Sequence, residues 1–173
     1  MRTMTKQKVE MKVNVFQKSV TYQVTTLFQV MFRITKARGL ASSYITNNRD
    51  VLERGFFTWF SERMLETLYF EIVTEDGSKA LERWEVNFDY SDNPDPEVRK
   101  PPIEQLESFC KKLRTLPRGT YYRILVQTKP GASEVEGWYP TSFKPFSQSN
   151  EKSFSGYGFG NIGAKLWYRE GKW

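Results

Sequence analysis

A hairpin pattern between residues 65 and 90 constrains the fold of this chain more than any other feature. Before a turn at residues 75–78, three apolar residues recur at every second position: Leu68, Phe70 and Ile72. After the turn, a second apolar set alternates with polar residues: Trp84, Val86, Phe88 and Tyr90. A period of two predicts strands with one apolar face and one polar face, and Asp76-Gly77 can supply the positive φ of a tight turn. The pattern therefore predicts an antiparallel hairpin with a single buried side.

Two helices are predicted before this hairpin. Apolar residues in the range 16–34 recur at intervals of three and four, which predicts a long central helix that ends at Gly39. Residues 41–48 form a polar connection. A second helix begins near Arg49, and Gly55 inside it is expected to bend or break it, because glycine is a poor helix former.

Beyond the hairpin, the sequence predicts a loop, a third helix and a third strand. Residues 91–102 contain four prolines and are expected to form an exposed loop. Pro102 suits the first turn of a helix, and five apolar residues then line one side of that helix: Ile103, Leu106, Phe109, Cys110 and Leu113. The third strand spans residues 121–128. Its side chains alternate between one face with Tyr122, Ile124 and Val126 and another with Arg123, Leu125 and Gln127.

The C-terminal part, residues 131–173, differs in composition from the rest and is rich in glycine, serine and aromatic residues. Disordered linkers are poor in aromatic residues, so this part is expected to lie against the remainder without being a compact element of its own. Together, the predicted parts define an α+β fold in a single domain over residues 1–173. We expect a flexible basic segment at residues 1–15, a core at residues 16–130 and the C-terminal segment at residues 131–173.

The residue types that most catalytic sites need are scarce in this chain. It has no histidine, which removes the commonest general base and nearly all zinc sites. Three candidate carboxylates, Glu82, Glu85 and Asp89, fall on or beside the polar face of a strand, where charged residues are expected in any case. A G-x-G-x-x-G match at residues 158–163 precedes a strand and not a helix, so it lacks the setting of a dinucleotide site. The sequence therefore predicts a protein that is not an enzyme and has no metal or other cofactor.

Charge and cysteine content bear on partners and location. The chain has 26 basic and 20 acidic residues, a net charge of +6. This mild excess and the many aromatic residues keep nucleic-acid binding as an alternative function. The one cysteine, Cys110, is expected to be a buried apolar residue and fits a reducing cytoplasm. Because the sequence contains no recognisable secretory signal or membrane span, a cytoplasmic protein without membrane contact is expected.

The segment at residues 75–89, EDGSKALERWEVNFD, resembles the hairpin of HORMA domains. In the spindle-checkpoint member, the turn is followed by leucine, glutamate, arginine and tryptophan and then by an alternating strand. This chain has Leu81, Glu82, Arg83 and Trp84 at that place. The order of parts over residues 16–173 is similar too: a long helix, a second helix, the hairpin, an acidic loop, a helix, a strand and a C-terminal tail. The short linkers are most similar to those of bacterial HORMA proteins from anti-phage signalling operons that use cyclic oligonucleotides (CBASS).

This resemblance implies a peptide-binding signalling adaptor. A closure-motif peptide of a partner protein would add itself as a strand to the edge of the sheet, and the C-terminal segment would wrap around it as a safety belt. The closed form would bind and activate a cGAS-like nucleotidyltransferase. An AAA+ ATPase would reopen the protein by pulling its N-terminal segment, and a second HORMA protein is a further candidate partner.

The resemblance also assigns roles to residues. The peptide-binding edge strand would consist of Tyr122, Arg123, Ile124, Leu125, Val126 and Gln127. The safety belt would be anchored by Trp138, Phe143, Phe146, Phe154, Tyr157 and Trp167. The ATPase would engage Arg2, Lys6 and Lys8. The last aromatic strand, residues 166–168, would dock on the opposite edge of the sheet, beside residues 81–90.

Overall fold

The computed structural model describes the backbone of residues 2–173 and the side chains of residues 15–173. Four helices are present in this part of the chain: α1 (Arg2–Ala37), α2 (Ser43–Asn47), α3 (Arg49–Ser61) and α4 (Ile103–Cys110). The five strands are β1 (Leu65–Val73), β2 (Ala80–Arg99), β3 (Tyr121–Thr128), β4 (Gln148–Ser153) and β5 (Tyr157–Gly171). They form one antiparallel sheet in the order β3-β1-β2-β5-β4, so the predicted α+β class is confirmed.

β1 and β2 form the predicted hairpin, with Phe70 opposite Trp84 and Leu68 opposite Val86. All four side chains are buried in the core between one face of the sheet and the helices. The helices contribute the largest of the other fully buried side chains, among them Leu27, Met31, Phe56 and Phe60. No helix within residues 2–173 is long and apolar enough to cross a membrane.

The hairpin turn has the predicted conformation. Gly77 has a φ of 73°. Next to it, Asp76 Oδ1 accepts a hydrogen bond from the backbone N–H of Ser78 at 3.0 Å and another from the hydroxyl of Thr74 at 2.8 Å. Bonds from Ser78 and Thr74 stabilise the carboxylate and lower the pKa of Asp76 to about 2.

α1 is the predicted central helix, but it starts earlier than expected. Its end agrees with the prediction: Gly39 has a φ of 69°, and the N–H of Leu40 bonds to the carbonyl of Thr35 at 2.8 Å, as in other glycine-terminated helices. At the other end the backbone is helical from Arg2, whereas the sequence predicts no regular structure at residues 1–15. This stretch contains neither glycine nor proline and is rich in lysine and methionine, which favour helix.

Three details of the connections differ from the sequence-based expectations. The polar connection at residues 41–48 contains the short helix α2. Gly55 does not interrupt α3. Residues 91–99 are not a loop: they extend β2, and Asp95 lies opposite Gly160 of β5. Because proline has no N–H to donate, β2 pairs with β5 only at isolated positions in this stretch.

Candidate functional site

β3 forms one edge of the sheet, where it pairs with β1 alone. Directly after β3, the N–H of Lys129 donates to the carbonyl of Met64 at 2.8 Å, so the backbone of Lys129 faces the β1 side. Backbone groups alternate in direction along an antiparallel strand. The N–H and C=O groups of Thr128, Val126 and Ile124 therefore face outwards, where another strand can add to them.

Residues 131–147, here called the crossing segment, first run against α3. Trp138 makes the main contact: its Nε1 donates to the carbonyl of Val51 at 2.8 Å, and its ring centroid lies 5.0 Å from that of Trp59. A Cβ on Gly55 would stand 2.7 Å from Trp138 Cε2. The glycine expected to weaken α3 thus leaves the space in which Trp138 docks.

The second half of the crossing segment lies on the opposite, outer face of the sheet. There, Arg123 of β3 donates to the hydroxyl of Thr141 at 2.8 Å. Phe143 packs against Tyr69 of β1, with ring centroids 4.7 Å apart. Since Trp138 is on the helix side and Thr141 is on the outer face, the three peptide units between them pass around the β3 edge.

A buried carboxylate holds the crossing segment to this outer face. The side chain of Glu71 in β1 is fully buried and lies 2.9 Å from Arg123 Nη1 and 3.2 Å from Arg83 Nε. It also accepts a hydrogen bond from the backbone N–H of Lys144 at 3.2 Å, while Arg83 donates to the carbonyl of the same residue at 2.6 Å. Two rings lie 4.3 and 4.4 Å from the guanidinium carbon of Arg83: Phe143 and Phe146. The face of the hairpin that was predicted to meet water is therefore covered here.

A cavity of about 700 Å³ lies between the β3 edge and the first half of the crossing segment. Its lining includes Val126 of β3, Trp59 of α3, and Trp138 and Tyr139 of the crossing segment. Val126 projects to the same face of β3 as Tyr122, which is buried against the core, so the cavity lies on the helix side of the sheet. Tyr139, 81% exposed, marks the outer limit of this cavity.

The predicted belt residues fall into two groups. Three of them contact α3 or the outer face from the crossing segment: Trp138, Phe143 and Phe146. Two others are buried in the core, Phe154 and Tyr157, and Trp167 is half-buried beside Lys165 and Arg169. The predicted docking of residues 166–168 beside β2 is confirmed, with Tyr168 opposite Trp84. This strand is longer than the predicted residues 166–168: β5 spans Tyr157–Gly171 and is an inner strand of the sheet, with β4 beside it.

Two of the three carboxylates considered as catalytic candidates form ion pairs with arginine. Glu82 is not on the polar face of β2: it is buried on the core side, 2.5 Å from Arg38 Nη2. Glu85 lies 2.7 Å from Arg169. Cys110 is buried as predicted, and burial raises the pKa of its thiol to about 12. Among the described residues, no group of three or more histidine, cysteine, aspartate or glutamate side chains is placed to hold a metal ion.

The role of Glu71 is not among those predicted from the sequence. Its signal is a carboxylate between two large apolar residues, Phe70 and Ile72, in the second half of β1. The side chains of the N-terminal residues assigned to an ATPase, Arg2, Lys6 and Lys8, lie outside the described side chains, so that assignment stays a prediction.

The solved structures that share this fold include the following three. A chain of the mitotic checkpoint complex aligns with a TM-score of 0.63 and 13% identity, over 76% of this chain and 75% of that chain. C. elegans HTP-2 bound to the HIM-3 closure motif aligns with a TM-score of 0.59 and 13% identity, over 76% of this chain and 71% of that chain. A chain of the E. coli MS115-1 CdnC:HORMA-deltaN complex aligns with a TM-score of 0.60 and 10% identity, over 90% of both chains. At these identities the likeness establishes the fold, which is that of HORMA domains.

The sequence also matches a family. The model of bacterial HORMA domain 2 matches residues 8–168, nearly the whole chain. The chain therefore belongs to the bacterial HORMA domain 2 family, and the resemblance seen in the hairpin is confirmed. No curated protein matches the chain.

Proposed function

We propose that this protein is a peptide-binding signalling adaptor in which a closure-motif peptide adds to β3 as an extra strand under the crossing segment. The proposal rests on one observation. The chain passes around the β3 edge between Trp138, which contacts α3, and Thr141, which accepts a hydrogen bond from Arg123. The outward backbone groups of β3 would pair with the peptide, and alternate peptide side chains would enter the cavity beside Val126.

Residues 131–173 serve as the safety belt in this proposal. β4 and β5 occupy the β2 edge, which leaves the β3 edge to the peptide. A peptide strand lying between β3 and residues 138–141 would be enclosed by the polypeptide backbone of the protein. Its release would require Trp138 to leave α3 or the contacts of Glu71 to open. We therefore expect dissociation to be slow and to be limited by movement of the crossing segment.

The proposed partner enzyme is a cGAS-like nucleotidyltransferase of an anti-phage CBASS system, which the peptide-bound form would activate. The support is family membership together with likeness over 90% of both chains to a chain of the E. coli CdnC:HORMA complex. An AAA+ ATPase that pulls the N-terminal end of α1 would reset the protein. A second HORMA protein is a further proposed partner.

Nucleic-acid binding, the alternative raised by the net charge, has less support. Stacking on bases needs exposed rings, but several of the aromatic side chains that raised this alternative are fully buried in the core, among them Trp84, Phe56, Phe60 and Phe70. Salt dependence separates the two functions, because nucleic-acid affinity falls steeply with rising salt, when the counterions released by binding gain less entropy. Peptide affinity under the belt should change little.

Strand addition is tested with a peptide whose backbone N–H groups are blocked one at a time. A binder would be selected from a random peptide display library on the full-length protein and synthesised with single N-methyl groups. An added strand uses alternate N–H groups, so affinity should fall about tenfold or more at every second position and little in between. Uniform losses along the peptide, or none, would contradict strand addition.

The test needs the full-length protein. Truncation after Phe146 would remove β5 together with buried core side chains such as Leu166 and Tyr168. Loss of binding by such a fragment would report unfolding and would say nothing about the belt.

A further inference from the structure

We infer that the bound peptide carries a large apolar residue and, two positions away, a lysine or arginine. This inference rests on the proposed function and specifies its ligand. It comes from the cavity between β3 and the crossing segment, which combines an apolar wall with an acidic rim.

The apolar wall lies where one side of an added strand would project. Val126 is on the helix-side face of β3, and side chains of a paired strand share the face of the residues they lie beside. Trp59, which is 5% exposed, and the half-buried Trp138 line the same cavity. A large apolar side chain placed here would remove these rings and itself from water, which favours binding by an amount that grows with the buried area.

The acidic rim consists of Glu134 and Glu136, which line the same cavity and are both exposed. Among the side chains of residues 15–173, neither carboxylate takes part in an ion pair. Two cations of this region have other contacts: Arg54 donates to the backbone carbonyl of Glu136, and Lys129 lies 5.2 Å from the ring centroid of Tyr90. The two carboxylates are therefore available to a cation supplied by the ligand.

The spacing of the two peptide residues follows from strand geometry. Side chains at positions i and i+2 project to the same face, whereas the residue between them projects to the other. Because the apolar wall and the acidic rim belong to one cavity on the helix side, the apolar and basic residues must be an even number of positions apart, and two positions is the shortest spacing that meets this condition. The intervening residue would face the outer side, near Arg123 and Thr141, which does not favour a further cation.

The experiment selects peptides from a random display library on the full-length protein and on a charge-reversed variant, Glu134→Lys with Glu136→Lys. Wild-type protein should enrich peptides with an apolar residue and a lysine or arginine two positions apart. The variant should lose the basic preference and bind a wild-type-selected peptide about tenfold more weakly. The matched control, Glu97→Lys with Glu104→Lys, makes the same change of charge at exposed positions away from the cavity and should bind like the wild type. Thermal melting of both variants verifies that they fold.

The outcomes separate this inference from the function on which it rests. Enriched peptides that show alternating N-methyl sensitivity but no basic preference would overturn the inference and leave strand addition standing. The same holds if the control variant weakens binding as much as the cavity variant, because general charge would then explain the effect. If no peptide is enriched on folded wild-type protein, the proposed function and the inference both fail.

Discussion

Trp138 lies over Gly55 so closely that no side chain fits between them: a Cβ on Gly55 would stand 2.7 Å from Trp138 Cε2. The contact joins the crossing segment to the middle of α3. It places a glycine, which weakens a helix, where the proposed belt is anchored. The two residues are 83 positions apart in the printed sequence (138 − 55), so only the folded chain brings them together.

Gly55→Ala should loosen the crossing segment although alanine is the better helix former by about 1 kcal/mol. The methyl group would displace the Trp138 ring and weaken its 2.8 Å hydrogen bond to Val51. We expect faster hydrogen exchange of residues 136–142. In a Trp138→Ala background the same change at Gly55 should be less disruptive, because the clash with Trp138 is gone and a contact of 2.9 Å with Trp59 Cζ3 remains. Unchanged exchange in the single variant would show that the anchor tolerates the methyl group.

Proline substitutions in β3 should distinguish the backbone N–H groups that face outwards from those that face β1. Val126→Pro removes an outward N–H, so it should abolish peptide binding with a modest loss of stability. Leu125→Pro removes an N–H that faces β1 and disturbs a side chain only 7% exposed, so it should lower the free energy of unfolding by about 3 kcal/mol. Urea unfolding and peptide titration measure the two effects. Normal peptide binding by a folded Val126→Pro variant would place the ligand on another edge.

Glu71→Gln should release the outer half of the crossing segment. The glutamine would leave Arg83 and Arg123, which are 15% and 21% exposed, without their shared carboxylate. We expect a loss of about 2–3 kcal/mol in unfolding free energy, because a cation that loses a buried partner is costly. Hydrogen exchange of residues 141–146 should rise more than that of the core.

The matched control for this prediction is Glu85→Gln, which removes a carboxylate from the Arg169 pair on β2 and β5. It should cost about 1 kcal/mol at most, because this pair is more exposed, and it should leave exchange of residues 141–146 unchanged. Equal effects of the two variants on those residues would mean that Glu71 has no special part in holding the segment.

The turn should make stability depend on pH in the acid range. The pKa of Asp76 falls from its ordinary value of 3.8 to about 2 in the folded protein, because Ser78 and Thr74 donate to its carboxylate. A lowered folded-state pKa contributes stability that is present above the unfolded-state pKa and is lost as pH falls towards about 2. The melting temperature of Asp76→Asn should therefore be below that of wild type at pH 5, and the difference should shrink towards pH 2. If the difference in melting temperature stayed constant across this pH range, the ionised carboxylate of Asp76 would not be its cause.

The N-terminal end of α1 should be dispensable for peptide binding and required for ATPase-driven release. Deletion of residues 1–10 keeps the buried side chains of α1 that the structure describes, such as Ser19 and Val20. Peptide affinity should stay unchanged, while release by the AAA+ ATPase with ATP should stop. Lys6→Glu with Lys8→Glu should slow release if an acidic surface captures this end. Release of a labelled peptide from the deleted protein at the full-length rate would show that the ATPase engages elsewhere.

Local patterns account for the parts of the fold that the sequence predicts well. The alternation around Phe70 and Trp84 and the three-four spacing of α1 reflect the periods of strand and helix, which neighbours in sequence produce. Gly39 and Gly77 end a helix and form a turn because each has a positive φ, 69° and 73°, which glycine adopts without strain. The edge strand at residues 121–128 follows from the same alternation.

The sequence could not decide where residues 131–147 lie, because this segment has no period and its partners are distant side chains of α3, β1 and β2. For the same reason, a carboxylate such as Glu71 has no readable role until Arg83, Arg123 and Lys144 surround it. The amino-acid sequence by itself thus determined the three longest helices, the hairpin and the strand that forms the edge. The tertiary structure alone decided that the chain passes around that edge, since this depends on contacts such as Trp138 with Gly55 and Arg123 with Thr141 that no local pattern encodes.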